Sequence, residues 1–189
     1  GDWPNWLWQT ENNQAYLDDF PELSSPRFRL MDRNAHLGGP IKKDKLWFYT
    51  GAQYYRSMDW ATGFPEARDY KQPRWFGKIT SQLAPATNMN FSLEVDTYDG
   101  INRGASATTS PEACVNQKSP EVVGNLGLTH ILSPKTFIDL KAAYFWGYYY
   151  LDPEVGPDIS GHFDGVANML YDSAGYFFYA DRTRLQVNA

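Results

Sequence analysis

The chain has 189 residues, 42% of them hydrophobic and 16% aromatic, and its 17 Lys and Arg stand against 22 Asp and Glu for a net charge of −5. That ring content excludes a disordered or collagen-like chain, and an acidic balance without a basic block argues against electrostatically driven nucleic-acid binding. No run approaches 18 apolar residues and the mean hydropathy is −0.55, which excludes a membrane-spanning helix but not a barrel, whose strands alternate polar and apolar residues and so average out polar.

In chain order, residues 1–26 come first, with Trp3, Trp6 and Trp8 and a short helical pattern from Gln14 to Leu23. They open on Gly1-Asp2-Trp3-Pro4 without Met, basic start or apolar signal core, and read as the remnant of a preceding strand and its outer loop. Arg27 to Ile41 and Leu46 to Asp59 follow as two strand-like runs around the charged turn Lys42-Lys43-Asp44-Lys45, with aromatics on both faces of the second. Next, Arg74 to Leu83 and Asn88 to Thr97 flank Ala84-Pro85-Ala86-Thr87. In the second of these runs Asn88, Asn90, Ser92, Glu94 and Asp96 alternate with Met89, Phe91, Leu93, Val95 and Thr97, the period of two that defines a strand with one polar and one apolar face.

Val122 to Leu132 and Thr136 to Tyr150 repeat the construction around Ser133-Pro134-Lys135, where proline supplies a fixed φ for a tight turn. Ile138, Leu140, Ala142, Tyr144, Trp146 and Tyr148 share one face of the last run, and Asp139 and Lys141 lie on the other. Arg182 to Ala189 alternates again and stops without a closing turn, a seventh strand. Residues 60–72, 100–119 and 151–179 lack periodicity and are rich in Gly, Pro, Asp, Ser and Thr. Short turns and long connectors therefore alternate strictly, as in outer-membrane barrels. The expectation is an all-β, antiparallel up-and-down meander, residues 27–189 forming a partial transmembrane β-barrel of about seven strands. Tyr144, Trp146 and Tyr148 would form a membrane-interface girdle at the loop end of their strand.

Particular residues carry a family likeness. Leu37-Gly38-Gly39-Pro40-Ile41, then Lys42-Lys43-Asp44-Lys45, then Leu46-Trp47-Phe48-Tyr49, resemble a hairpin of Oar-like TonB-dependent outer-membrane receptors. Thr129 to Phe137 looks like another turn of that family, and Asp181-Arg182 like the start of its next strand. The resemblance spans roughly Arg27 to Ala189. It implies a 22-stranded barrel closed by a plug, located in the bacterial outer membrane and surrounded by lipid and lipopolysaccharide. Such a receptor takes up a large nutrient, such as a siderophore, oligosaccharide or peptide, with energy relayed through TonB. The plug and the TonB-contacting box of that family have no counterpart in these residues.

Catalysis finds little support. His36, His130 and His162 lie in separate elements without metal-ligand spacing, Cys114 is the only cysteine, and no nucleophile elbow or phosphate-cradling glycine loop occurs, so no enzyme, cofactor or metal is expected. Glu94 and Asp96 share a strand face, but such a pair is what a water-filled lumen looks like. Two oxygen-rich groups, Asp96, Asp99 and Asn102, and Asp152, Glu154, Asp158 and Asp164, do not match the EF-hand spacing. Ligand contacts are expected from the loops and upper lumen wall, with Trp60, Glu94, Asp96, Tyr98, Asp99 and Phe163 as candidates and Phe64, Tyr176, Phe177 and Phe178 as further rings for stacking. A soluble β-sandwich with a carbohydrate-binding surface and a surface-adhesin barrel are the rival readings; the first requires a sealed core within these residues.

Overall fold

A computed structural model describes residues 28–189, so the tryptophans and helical pattern of the first 26 residues lie outside the described residues. Four long strands open the fold in two hairpins: β1 (Phe28–Lys42), β2 (Leu46–Asp59), β3 (Arg68–Ala84) and β4 (Thr87–Asp96). Two short ones follow, β5 (Asp99–Arg103) and β6 (Val115–Lys118), then the hairpin β7 (Glu121–Ser133) and β8 (Thr136–Pro153). A small ladder of β9 (His162–Asp164) and β10 (Met169–Tyr171) precedes β11 (Phe178–Asn188). The fold is all-β and its strand pairs are antiparallel, as the alternating pattern expects.

The sheet runs β1-β2-β3-β4-β7-β8-β11, a meander with its tight turns at one end and its long connectors at the other. It counts nine strands rather than seven, because residues 100–119 are not a structureless connector. β3 and β8, at 17 and 18 residues, run well past β4 and β7 at 10 and 13, and would leave a row of backbone donors and acceptors unpaired. The β5–β6 hairpin fills that gap, β5 pairing with β3 and β6 with β8. Tyr98 and Ser119 exchange backbone bonds of 3.2 and 2.8 Å, so the ladder hardly breaks between β4–β7 and β5–β6. Residues 68–72 likewise belong to β3 rather than to the preceding connector, since Arg68 to Gln72 pair with Asp59 to Tyr55.

Register sorts the side chains into two faces. One cross-strand row reads Ala35, Ala52, Trp75, Val95, Val122, Trp146 and Thr183. The next, two residues along each strand, reads Leu37, Thr50, Gly77, Leu93, Gly124, Tyr144 and Leu185, and a third contains Phe48, Ile79, Phe91, Leu126, Ala142 and Val187. A fourth adds Leu46, Ser81, Met89, Leu128 and Leu140. Not one of these positions is charged. The opposite face at the same heights carries Arg74, Lys78, Glu94, Asp96, Glu121, Lys141 and Arg184.

No second layer covers the apolar face among the described residues: Leu126 is 44% exposed, Leu140 41% and Leu185 70%. A β-sandwich would bury these side chains against a partner sheet. Among the hydroxyl residues on the band, Thr50 is quiet, since its Oγ1 donates to the Phe76 carbonyl at 3.1 Å. Trp75 lies flat along its own strand over Gly77, where an added Cβ would fall 2.6 Å from the indole. At the Gly38-Gly39 pair, a Cβ on Gly38 would meet the Tyr49 ring at 3.0 Å while Gly39 has open space, so only the first glycine answers to crowding.

What core there is lies among the long connectors. Phe64, Ala105 and Cys114 form a buried cluster against Ala61, and Val115 and Leu151 are covered on the charged-face side of β6 and β8. Backbone bonds tie the connectors together: Leu170 N donates to Thr108 O and Ser110 N to Leu170 O, both at 2.9 Å, and Glu154 N donates to Cys114 O at 3.0 Å.

Candidate functional site

The charged face is organised around a hydrogen-bonded line that crosses four strands. Gln53 on β2 donates through Nε2 to Asp32 Oδ1 on β1 at 2.8 Å and accepts from Arg74 Nη1 on β3 at 3.4 Å. Arg74 Nε lies 2.9 Å from Asp96 Oδ2 on β4, a close ion pair in which the N–H is not aimed at the oxygen. Gln72 Nε2 completes the line with bonds of 3.2 and 3.3 Å to the same carboxylate. Each side chain is brought there by register, since Gln53 faces Arg74 and Arg74 faces Asp96 in consecutive pairings.

Below this line the charged face turns aromatic. His36 stacks on Tyr49 at 6.2 Å and 28°, and Tyr49 meets Phe76 at 6.0 Å and 57°. Asn34, Gln53 and the exposed Glu94 border the same open recess of about 210 Å³. Glu94 makes no ion pair or side-chain hydrogen bond among the described residues, so its carboxylate faces the recess free, whereas Asp96 is committed to Arg74 and Gln72. Rings beside amides and a free carboxylate suit a polar, ring-bearing ligand held by stacking and hydrogen bonds.

A second concavity of about 460 Å³ lies among the connectors after β8, lined by Pro153, Pro157, Asp158, Ser160, Tyr176 and Phe177. Nearby, His162 Nδ1 sits 2.7 Å from Asp172 Oδ2 and its ring stacks on Tyr171. Asp164 accepts backbone N–H bonds from Val166 and Ala167 at 2.8 and 3.0 Å, which hold its carboxyl below the usual range. Burial, reinforced by the carboxylates of Glu154, Glu66 and Glu112, pushes the Cys114 thiol up to about 11, so it is no nucleophile at neutral pH.

The six candidate ligand residues do not form one site. Glu94 and Asp96 share the charged face, and Tyr98 sits above them with its ring tilted at 30° to Tyr70, centroids 5.8 Å apart. Asp99 pairs opposite Lys71 and Lys118 on the other face, Trp60 is half-buried at the end of β2, and Phe163 is exposed on β9. Phe64 is buried among the connectors and unavailable for stacking. Neither oxygen-rich group gathers, since Asp96 and Asp99 point to opposite faces and no cluster of three or more His, Cys, Asp or Glu side chains forms among the described residues. Tyr144, Trp146 and Tyr148 do share one face, with Trp146 edge-on to Tyr148 at 6.0 Å and Tyr148 4.3 Å from Tyr150. Asp32, Gln53 and Arg74 escaped the sequence reading because only strand register shows that they meet.

A scan against protein-family models matches none, and searches of curated proteins and of solved structures return no significant match.

Proposed function

We propose that this sheet is part of the wall of an outer-membrane β-barrel that binds or passes a nutrient, in the manner of the TonB-dependent receptors its β1–β2 hairpin resembles. The observation that carries the reading is the uncovered apolar band, four cross-strand rows whose single charge is Lys42 at the turn end of β1, backed at the same heights by a charged face. Such segregation on a single-layer sheet suits lipid on one side and water on the other. Ile138 through Trp146 on β8 matches the roughly 9–11 tilted residues that cross the hydrocarbon, and Trp75, Trp146 and Tyr148 lie at the connector end of the band as an interfacial girdle.

In this reading the ligand meets the connectors first and then the charged wall, where Glu94 with His36, Tyr49 and Phe76 offers stacking and a carboxylate. The protein performs no bond-making chemistry; passage is gated sterically by a plug that couples to TonB. The test is the electrophoretic migration of the complete protein in detergent before and after boiling. A heat-dependent shift is expected of a barrel, and a species that folds and stays dissolved in plain buffer overturns the reading.

A further inference from the structure

On the charged face one cross-strand row reads His36, Gly51, Phe76 and Glu94, from β1 to β4. Gly51 is the gap in it. A Cβ there would meet nothing closer than 3.6 Å, so the missing side chain leaves a notch between the imidazole and the phenyl ring. Tyr49, two residues earlier on β2 and on the same face, leans into that notch, its hydroxyl 4.0 Å from where a Gly51 Cβ would stand. The Tyr49 ring runs at 28° to His36 and at 57° to Phe76, with centroids 6.2 and 6.0 Å away, so three rings border one small space. Arg74 supplies the one Lys or Arg head among the described residues of the lining, and it is turned to Asp96 at 2.9 Å and to Gln53 at 3.4 Å. Lys78, opposite Tyr49 on β3, lies outside the lining. The exposed carboxylate of Glu94 is therefore the charge that the recess offers to a ligand.

We infer that this recess receives a primary ammonium group of the ligand, laid against Tyr49 and Phe76 and hydrogen-bonded to Glu94. The inference deepens the proposed function and rests on the reading of this face as the path of a nutrient. An aromatic face is negative at its centre and attracts a cation lying on it, the more so as water is displaced. A neutral sugar would stack on the same rings and donate hydroxyls to Glu94, but only a cation adds Coulomb attraction to both contacts. An anionic ligand is opposed by Glu94 and finds the Arg74 guanidinium already engaged. Size points the same way: the recess of about 210 Å³ is smaller than the roughly 300–1,000 Å³ of sites that enclose a whole small molecule, and fits one head group of a larger ligand. A lysine-bearing peptide and a polyamine both carry such a group.

The complete protein in detergent micelles is titrated calorimetrically at about pH 8, where primary alkylamines keep their proton. The probes are N-acetyl-trilysine amide, its glutamine counterpart, spermidine and a neutral glucose trisaccharide. The lysine peptide or spermidine is expected to bind about tenfold or more tightly than either neutral probe, and whichever of the two binds more tightly names the source of the ammonium. Glu94→Gln is expected to lose about tenfold and Tyr49→Leu about threefold or more. Tyr49→Phe is expected to lose nothing, because the ring face and not the hydroxyl makes the contact. Glu121→Gln removes the same charge from the same face outside the recess and is expected to leave affinity unchanged. Equal binding of the neutral probes, or equal losses in Glu94→Gln and Glu121→Gln, overturns the site. Heat-dependent migration is read on every sample: a wild type that shifts but does not prefer the ammonium probes defeats this inference alone, whereas a wild type without the shift defeats the barrel reading and the inference with it.

Discussion

Trp75 on β3 and Trp146 on β8 lie in one cross-strand row on the same face, joined through Val95 and Val122 on the two strands between them. Their sequence positions are far apart, and register alone sets them at equal height. The row forms the connector-end border of the apolar band.

That band makes a sharp contrast between neighbouring residues. Leu126→Arg puts a charge in the middle of the apolar face and is expected to cost about 2–4 kcal/mol of folding stability in a bilayer. Asn125→Arg, one residue earlier and on the charged face, is expected to stay within about 0.5 kcal/mol. Urea titration of the complete protein refolded into liposomes measures both, and equal costs would contradict the lipid-facing assignment.

Gly77 exists to admit the Trp75 ring. In Gly77→Ala the new methyl would lie 2.6 Å from the indole, which must swing away. A change in tryptophan fluorescence, removed in the Trp75→Phe background, is the expected readout.

The hydrogen-bonded line across the charged face is a modest stabiliser. The side chains of Arg74 and Asp96 remain 41% and 26% exposed, so Asp96→Asn is expected to cost about 1 kcal/mol or less. Because that substitution leaves the lone carboxylate of Glu94 intact, the proposed receptor function expects ligand binding to persist in Asp96→Asn and to fall in Glu94→Gln, as read by equilibrium binding of the siderophores, oligosaccharides or peptides tested as ligands.

Cys114 supplies a pH prediction. Its thiol is 1% exposed and raised from 9.0 to about 11, so the folded protein keeps a proton that the unfolded chain surrenders sooner. The contribution is fully present below pH about 9 and is lost as pH rises through about 11. A maleimide at pH 7 is expected to label Cys114 only after denaturation; rapid labelling of the folded protein would contradict the buried cluster.

Much of the meander is legible in the residues themselves. The Asn88–Thr97 alternation and the Pro134 and Lys43-Asp44 turns mark β4, the β7–β8 connection and the β1–β2 connection because each encodes its geometry locally. β5 and β6 are hidden for a physical reason: short strands rich in Gly and Asn carry no period, and they form because overlong β3 and β8 offer them unpaired backbone. The site divides likewise. Glu94 and Asp96 are visible as a pair on one face, but their different fates depend on Arg74 arriving opposite Asp96 and Phe76 opposite Glu94, a matter of pairing between strands rather than of pattern within one.

The bonds from Leu170 to Thr108 and Ser110, and from Glu154 to Cys114, have an immunological consequence. Segments remote in the chain are tied side by side, so antibodies raised against folded protein would recognise a composite epitope. Free peptides covering residues 104–114 or 162–171 would fail to compete for them.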